Sequence, residues 1–127
     1  MDYRIATTDD CQTLAEWNHQ LIPDEGHRNP MDIPQLKERM RGWLTTGGYT
    51  AVIFEENGAA VAYALYREDA EEIYLRQLFV MRRLRRKGIG RRAVEILKSQ
   101  LWPKTKRLTV EVLTHNQSAV AFRRAMG

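Results

Sequence analysis

Cysteine is nearly absent from this sequence: Cys11 is the only one in 127 residues. A lone thiol excludes an internal disulfide framework and a cysteine-based zinc site. The three histidines, His19, His27 and His115, stand far apart without metal-ligand spacing, so no metal is expected. No apolar run approaches the roughly 20 residues that span a bilayer, so no membrane partner is expected. The opening stretch MDYRIATTDD is acidic and has no apolar core, unlike a signal peptide. A cytoplasmic protein is the resulting expectation. Internal repeats are missing too, and the length suits one domain over residues 1–127. Hydrophobic residues at 43% and charged residues at 28% are the composition of a folding chain.

One further absence is local. Between Arg82 and Arg92 there is no acidic residue, whereas seven positions are Arg or Lys. The net charge of the whole chain is only +4, so this run is a concentrated patch rather than a general excess. Such a patch attracts phosphates, whether of a nucleotide cofactor or of a nucleic acid.

The hydrophobic pattern divides the chain into elements. Residues 3–6 suit a short strand, and Thr8, Asp9 and Asp10 offer N-cap oxygens for a helix reaching about Ile22. Its expected inner face is Cys11, Leu14, Ala15, Asn18 and Ile22. Residues 23–30, PDEGHRNP, are dense in breakers and read as a loop. Asp32 can cap a second helix, in which Leu36, Met40, Trp43 and Leu44 recur at helical spacing. The period then shifts to that of strands. YTAVIFEE and AAVAYALYRE flank Asn57-Gly58, a strong hairpin signal. Residues 73–81 read as a further strand, and Ile89, Ala93, Ile96 and Leu97 mark a third helix. Residues 107–113 alternate as a strand, and a last helix is expected from Asn116. The predicted order is β-α-α-β-β-β-α-β-α: an α/β fold with a mixed, mostly antiparallel sheet flanked by helices on both faces. Strands 73–81 and 107–113 are expected to be parallel neighbours.

The most informative segment runs LFVMRRLRRKGIGRRAVEIL. A strand enters a basic loop, passes Gly88-Ile89-Gly90 and opens a helix. Glycines there let backbone N–H groups approach one phosphate cluster, and the helix adds its positive N-terminal end. It is not a Walker A loop, because Gly90 is followed by Arg91-Arg92 rather than Lys-Ser/Thr. Nor is it the dinucleotide fingerprint, which needs three spaced glycines. Arg85-Arg86-Lys87-Gly88-Ile89-Gly90 instead resembles the acetyl-CoA loop of the GNAT N-acetyltransferase superfamily, Gln/Arg-x-x-Gly-x-Gly/Ala. The preceding Leu78-Phe79-Val80 and the later Asn116-Gln117-Ser118-Ala119 are similar to that family as well.

The resemblance implies a single-domain acyl-CoA N-acyltransferase that moves acetyl from acetyl-CoA to a primary amine by direct attack. Phe79 and Val80 would meet the pantetheine arm, Val80 through its backbone groups. Arg85, Arg86, Lys87, Gly88, Ile89, Gly90 and Arg91 would surround the pyrophosphate, and Asn116 would lie near the cofactor. A backbone amide of strand 73–81 would stabilise the developing oxyanion. The sequence departs from the family at two positions. Arg123 stands where many members have a Tyr acid, and Leu75-Arg76-Gln77 stands where many have a Glu base. Candidate bases are therefore Tyr74, Glu72 and His27. Asp24, Glu25 and His27, in the loop between the first two helices, are candidates for shaping the site of a small-molecule or peptide amine acceptor. The resemblance also leads one to expect two more strands after Gly127, so the sheet is expected to lack its C-terminal strands. Either the sequence is a truncated piece, or a second subunit in a homodimer supplies the edge. Two rival readings stand beside the enzyme. One is a catalytically silent acyl-CoA sensor on the same fold. The other is a nucleic-acid module using the arginine run, disfavoured because no stacking aromatics are interleaved with it.

Overall fold

The computed structural model describes residues 1–24 (Asp24 by its backbone alone) and 30–110. Five strands and three helices follow in the order β1 Asp2–Ile5, α1 Cys11–Asp24, α2 Ile33–Thr45, β2 Tyr49–Glu56, β3 Ala59–Glu68, β4 Glu72–Val80, α3 Ile89–Ile96 and β5 Arg107–Val110. The sheet order is β1-β2-β3-β4-β5, the same as the chain order. The first three pairings are antiparallel. The last is parallel, with Glu72 opposite Arg107 and Leu75 opposite Val110. The expected mixed, mostly antiparallel sheet is therefore present. Residues 111–113 of the expected last strand, and the expected last helix, lie outside the described residues.

Local chemistry explains most boundaries. Asp32 caps α2 through a reciprocal capping box with Gln35. Asn57 and Gly58 have φ of 53° and 79°, the two left-handed residues that a tight hairpin turn requires. At the start of α1 the cap is Thr7, one residue earlier than expected, and Thr8–Asp10 form a 3₁₀ turn ahead of the helix. Asp10 is held there by two hydrogen bonds from Arg4, at 2.9 and 2.8 Å, and one from the Thr7 N–H. At its other end α1 does not stop before Pro23 but runs through it to Asp24. Proline lacks an N–H and strains the preceding turn. In the last turn that loss is confined to one bond, while Leu21 and Ile22 remain buried just before it.

Alternating strand residues feed two cores. Ala51, Ile53, Tyr63, Leu65 and Phe79 meet Cys11, Leu14 and Leu21 of α1 and Met40 of α2 on one face. Val52, Phe54, Ala62, Ala64, Ile73 and Leu75 meet Ile89, Ala93 and Val94 of α3 on the other. Each large side chain fully buried in this way contributes about 2 kcal/mol. Helices thus cover both faces, as the pattern predicted. Among the described residues, no helix is long and apolar enough to cross a membrane.

Candidate functional site

Strand β4 is irregular where the chemistry is expected. Leu65 pairs with Gln77, but the next residue of β3, Tyr66, pairs with Leu75. Arg76 is therefore the extra residue of a β-bulge. Tyr74 packs on the α1/α2 side, and so does Phe79; Ile73, Leu75, Leu78 and Val80 pack on the α3 side. Arg76 and Gln77 consequently face the same side in succession. Gln77 is buried, accepting a 2.8 Å hydrogen bond from the Tyr63 hydroxyl.

Beyond the bulge, the backbone of β4 turns the polar groups of Val80 to the side away from β3. The Met81 N–H donates to the Val61 carbonyl across β3, at 3.0 Å. Because these directions alternate along an antiparallel strand, the N–H and C=O of Val80 point away from β3. The Val80 carbonyl accepts a 2.9 Å hydrogen bond from Arg85 Nε, whose guanidinium carbon lies 5.7 Å from the centre of the Phe79 ring. A carbonyl has a second lone pair, so this bond leaves acceptor capacity at the strand end.

The loop after β4 folds into a tight cradle ahead of α3. A 3₁₀ turn at Arg82–Leu84 leads to Arg86 and Gly88, both with positive φ, 65° and 78°. Left-handed residues thus stand on either side of Lys87, and turns containing such residues are the kind from which anion-binding nests are built. Gly88 is the N-cap of α3 and accepts the first helical bond from the Arg92 N–H. Buried Ile89 pins the helix start to the α3-side core. Arg86, Lys87 and Arg91 are exposed around this point. Among the described residues Arg91 makes only a long 3.8 Å contact to Glu95, whereas Arg92 pairs with Glu56 at 2.9 Å. A helix N-terminus with the exposed side chains of Arg86, Lys87 and Arg91 around it fits a diphosphate.

A second cluster occupies the α1/α2 side of the bulge. Trp17 stacks on Phe79 at 5.2 Å and on Tyr63 at 6.0 Å. Arg39 of α2 and Arg76 of β4 both lie over the indole of Trp43, at 4.4 and 4.9 Å. Arg39 donates to Asn18 Oδ1 at 3.0 Å, while its buried Nε and the buried Nδ2 of Asn18 have no hydrogen-bond partner among the described residues. Burial, then the neighbouring Arg76, pull the Arg39 pKa below its ordinary value. Nothing in the residue pattern singles out Arg39 or Asn18 for chemistry. The available signal was the four-residue spacing of Arg39 and Trp43, which places a cation over a ring on one helix face.

The candidate bases sit in different settings. Glu72 opens β4, at the opposite end from Val80, and its carboxylate accepts from Thr109 Oγ1 at 2.9 Å and from Arg107 at 3.3 Å. Tyr74 lies two residues before Arg76 on the same side, with the Arg67 guanidinium 5.6 Å from its ring centre. That placement favours Tyr74 over Glu72. Glu25, His27, Asn116, Arg123 and the side chain of Asp24 lie outside the described residues. Among the described residues no group of His, Cys, Asp and Glu could hold a metal ion.

A strand–cradle–helix unit on a sheet of this order is acetyltransferase architecture. The chain matches the acetyltransferase (GNAT) family over residues 11–127 and belongs to that family. Solved structures agree in fold. A possible acetyltransferase from Clostridium difficile 630 is 21% identical with a TM-score of 0.79, covering 98% of this chain and 88% of its own. The aminoglycoside N-acetyltransferase AAC(6')-Iy, solved in complex with CoA, is 14% identical with a TM-score of 0.77, covering 99% and 86%. A predicted acetyltransferase from Clostridium acetobutylicum, solved with acetyl-CoA, is 16% identical with a TM-score of 0.70, covering 96% and 87%. No curated protein matches the chain.

Proposed function

We propose that this protein is an acetyl-CoA-dependent N-acetyltransferase acting on a primary amine by direct attack. The observation that carries the reading is the cradle at Arg86–Lys87–Gly88, placed at the N-terminus of α3 directly after a strand end with outward-facing backbone groups. In this reading Arg85, Arg86, Lys87 and Arg91 neutralise the diphosphate, with the N–H groups around Gly88, Ile89 and Gly90. Phe79 and Val80 line the pantetheine arm, Val80 through its N–H and remaining carbonyl lone pair, and Asn116 lies close to the same cofactor. The amine nitrogen forms a bond to the thioester carbonyl carbon, the C–S bond breaks, and CoA leaves as a thiolate that takes up a proton. A free alkyl amine holds its proton up to a pKa of about 10, so a base must accept it. Tyr74 is the best placed of the described candidates, and Asp24, Glu25 and His27 are proposed to shape the acceptor's approach. Family membership and the CoA-bound neighbours of like fold support the reading.

Calorimetric titration with acetyl-CoA tests it. The parent should bind, and a variant with Gly88→Glu and Gly90→Glu should lose binding, because carboxylates would replace the open cradle. A folded parent that does not bind acetyl-CoA overturns the proposal. Arg76, standing where the resemblance leads one to expect a Glu base, favours one second reading, a catalytically silent acyl-CoA sensor. Release of free CoA thiol with any amine would dismiss it.

A further inference from the structure

Most arginines described with ion pairs lie at the surface, as with Arg4 and Asp10 or Arg92 and Glu56. Arg39 and Arg76 differ. Both are half-buried, both lie over Trp43, and neither has a carboxylate partner among the described residues. Among the described residues, the only hydrogen bond that Arg39 makes goes to a neutral amide, Asn18 Oδ1. Asn18 is 1% exposed, and its Nδ2 and Arg39 Nε are buried donors without acceptors among the described residues. Two like charges and two unmet donors in one half-buried spot oppose folding. Such an arrangement persists when another demand fixes it, and a ligand that supplies negative charge beside the two guanidinium groups would offset their repulsion.

Position narrows what that ligand is. Arg76 is the extra residue of the β4 bulge, so its side chain is held on the α1/α2 side beside Gln77. At about 3.3 Å per residue, it lies within about 13 Å of Val80 along the strand. The surrounding walls, Trp17, Tyr63 and Phe79, are aromatic and stacked. An ion pair formed against such walls is screened less than one in open water. A polycationic acceptor would instead meet like charge there, which disfavours it.

We propose that the acceptor is an amine that also carries a carboxylate, such as an amino acid or short peptide, and that Arg39 and Arg76 bind that carboxylate. The inference rests on the acyltransferase reading and names its substrate class. In this arrangement Asn18 is a positioning residue that holds Arg39, and Trp43 is the platform for both guanidinium groups. The carboxylate takes no part in bond making; the amine attacks as above.

The test uses the full chain and matched amines. Free thiol is measured as acetyl-CoA is consumed in the presence of amino acids and dipeptides, each beside its carboxamide counterpart, and of a polyamine. Expected is a kcat/KM at least about 100-fold higher for the acid than for its carboxamide. Arg39→Gln and Arg76→Gln should each raise KM for the acid about tenfold or more and shrink the discrimination between acid and carboxamide. The calorimetric affinity for acetyl-CoA should not change. Equal turnover of acid and carboxamide, preference for the polyamine, or no turnover of any acid by a protein that binds acetyl-CoA would each overturn the carboxylate site alone. Failure of the parent to bind acetyl-CoA would overturn the acyltransferase reading as well. The comparison of matched amines needs no variant, so misfolding of either substitution leaves it decisive.

Discussion

At Asp10 a single carboxylate ties three segments together. It accepts from Arg4 of β1, from the Thr7 cap, and stands one residue before α1. Hydrogen bonding to Arg4 holds its pKa below the usual carboxylate range. A depressed folded-state pKa means that the unfolded chain binds the proton first as pH falls. The stabilisation is therefore complete above about pH 4, the ordinary carboxylate value, and is lost progressively below it. Asp10→Asn should cost about 1 kcal/mol at neutral pH. Its stability should converge with that of the parent in acid, read from denaturant midpoints across the pH range. A constant gap at every pH would contradict this account. The residue scale is also where the sequence was least legible. Gly88 could be read as a residue that a tight turn into a helix needs, and its φ of 78° is the left-handed conformation of such a turn. Arg39 could not, because a mid-helix arginine is by default solvated, and only the three-dimensional placement of Arg76 reveals the pair.

At the scale of elements, periodicity carried the reading well where one face is buried. β2 and β3, the Asn57-Gly58 turn and the capped start of α2 lie where alternation and caps put them. It failed at the bulge, because Arg76-Gln77 interrupts the apolar pattern in the same way as an ordinary surface pair would. It failed again at Pro23, where a general rule against proline was overridden by the buried Leu21 and Ile22. The bulge has an arithmetic consequence. Removing Arg76 leaves Tyr74, Gln77 and Phe79 on one side and Leu75, Leu78 and Val80 on the other, in strict alternation. Deletion of Arg76 should therefore cost less stability than deletion of Leu78, which in the same regular ladder would put Gln77 into the apolar α3-side position of Leu78. Thermal denaturation of the two deletions checks this. If they were equally destabilised, the bulge would be a structural necessity rather than an insertion in a regular ladder.

At the scale of the whole molecule, charge distribution matters more than net charge. The excess is modest, yet seven basic residues fall within residues 82–92 around one cradle. Acetyl-CoA affinity should weaken roughly tenfold between about 0.05 and about 0.5 M salt, as screening shortens the reach of that patch. Pantetheine, which has no phosphate, should show no such trend in the same calorimetric titration. Salt-independent binding of acetyl-CoA would remove the basic loop from the site.

The strand order of this sheet has a further meaning for how the protein is made. Strands β2, β3 and β4 are joined by short turns, so β3 and β4 can each dock on the strand before it as it leaves the ribosome. β1 is separated from β2 by the two helices α1 and α2, and β5 from β4 by the cradle and α3. Contacts closed over short loops form sooner than those closed over long ones. The β2–β3–β4 meander can thus be complete while the cradle and α3, closed over a longer connection, are still seeking their place.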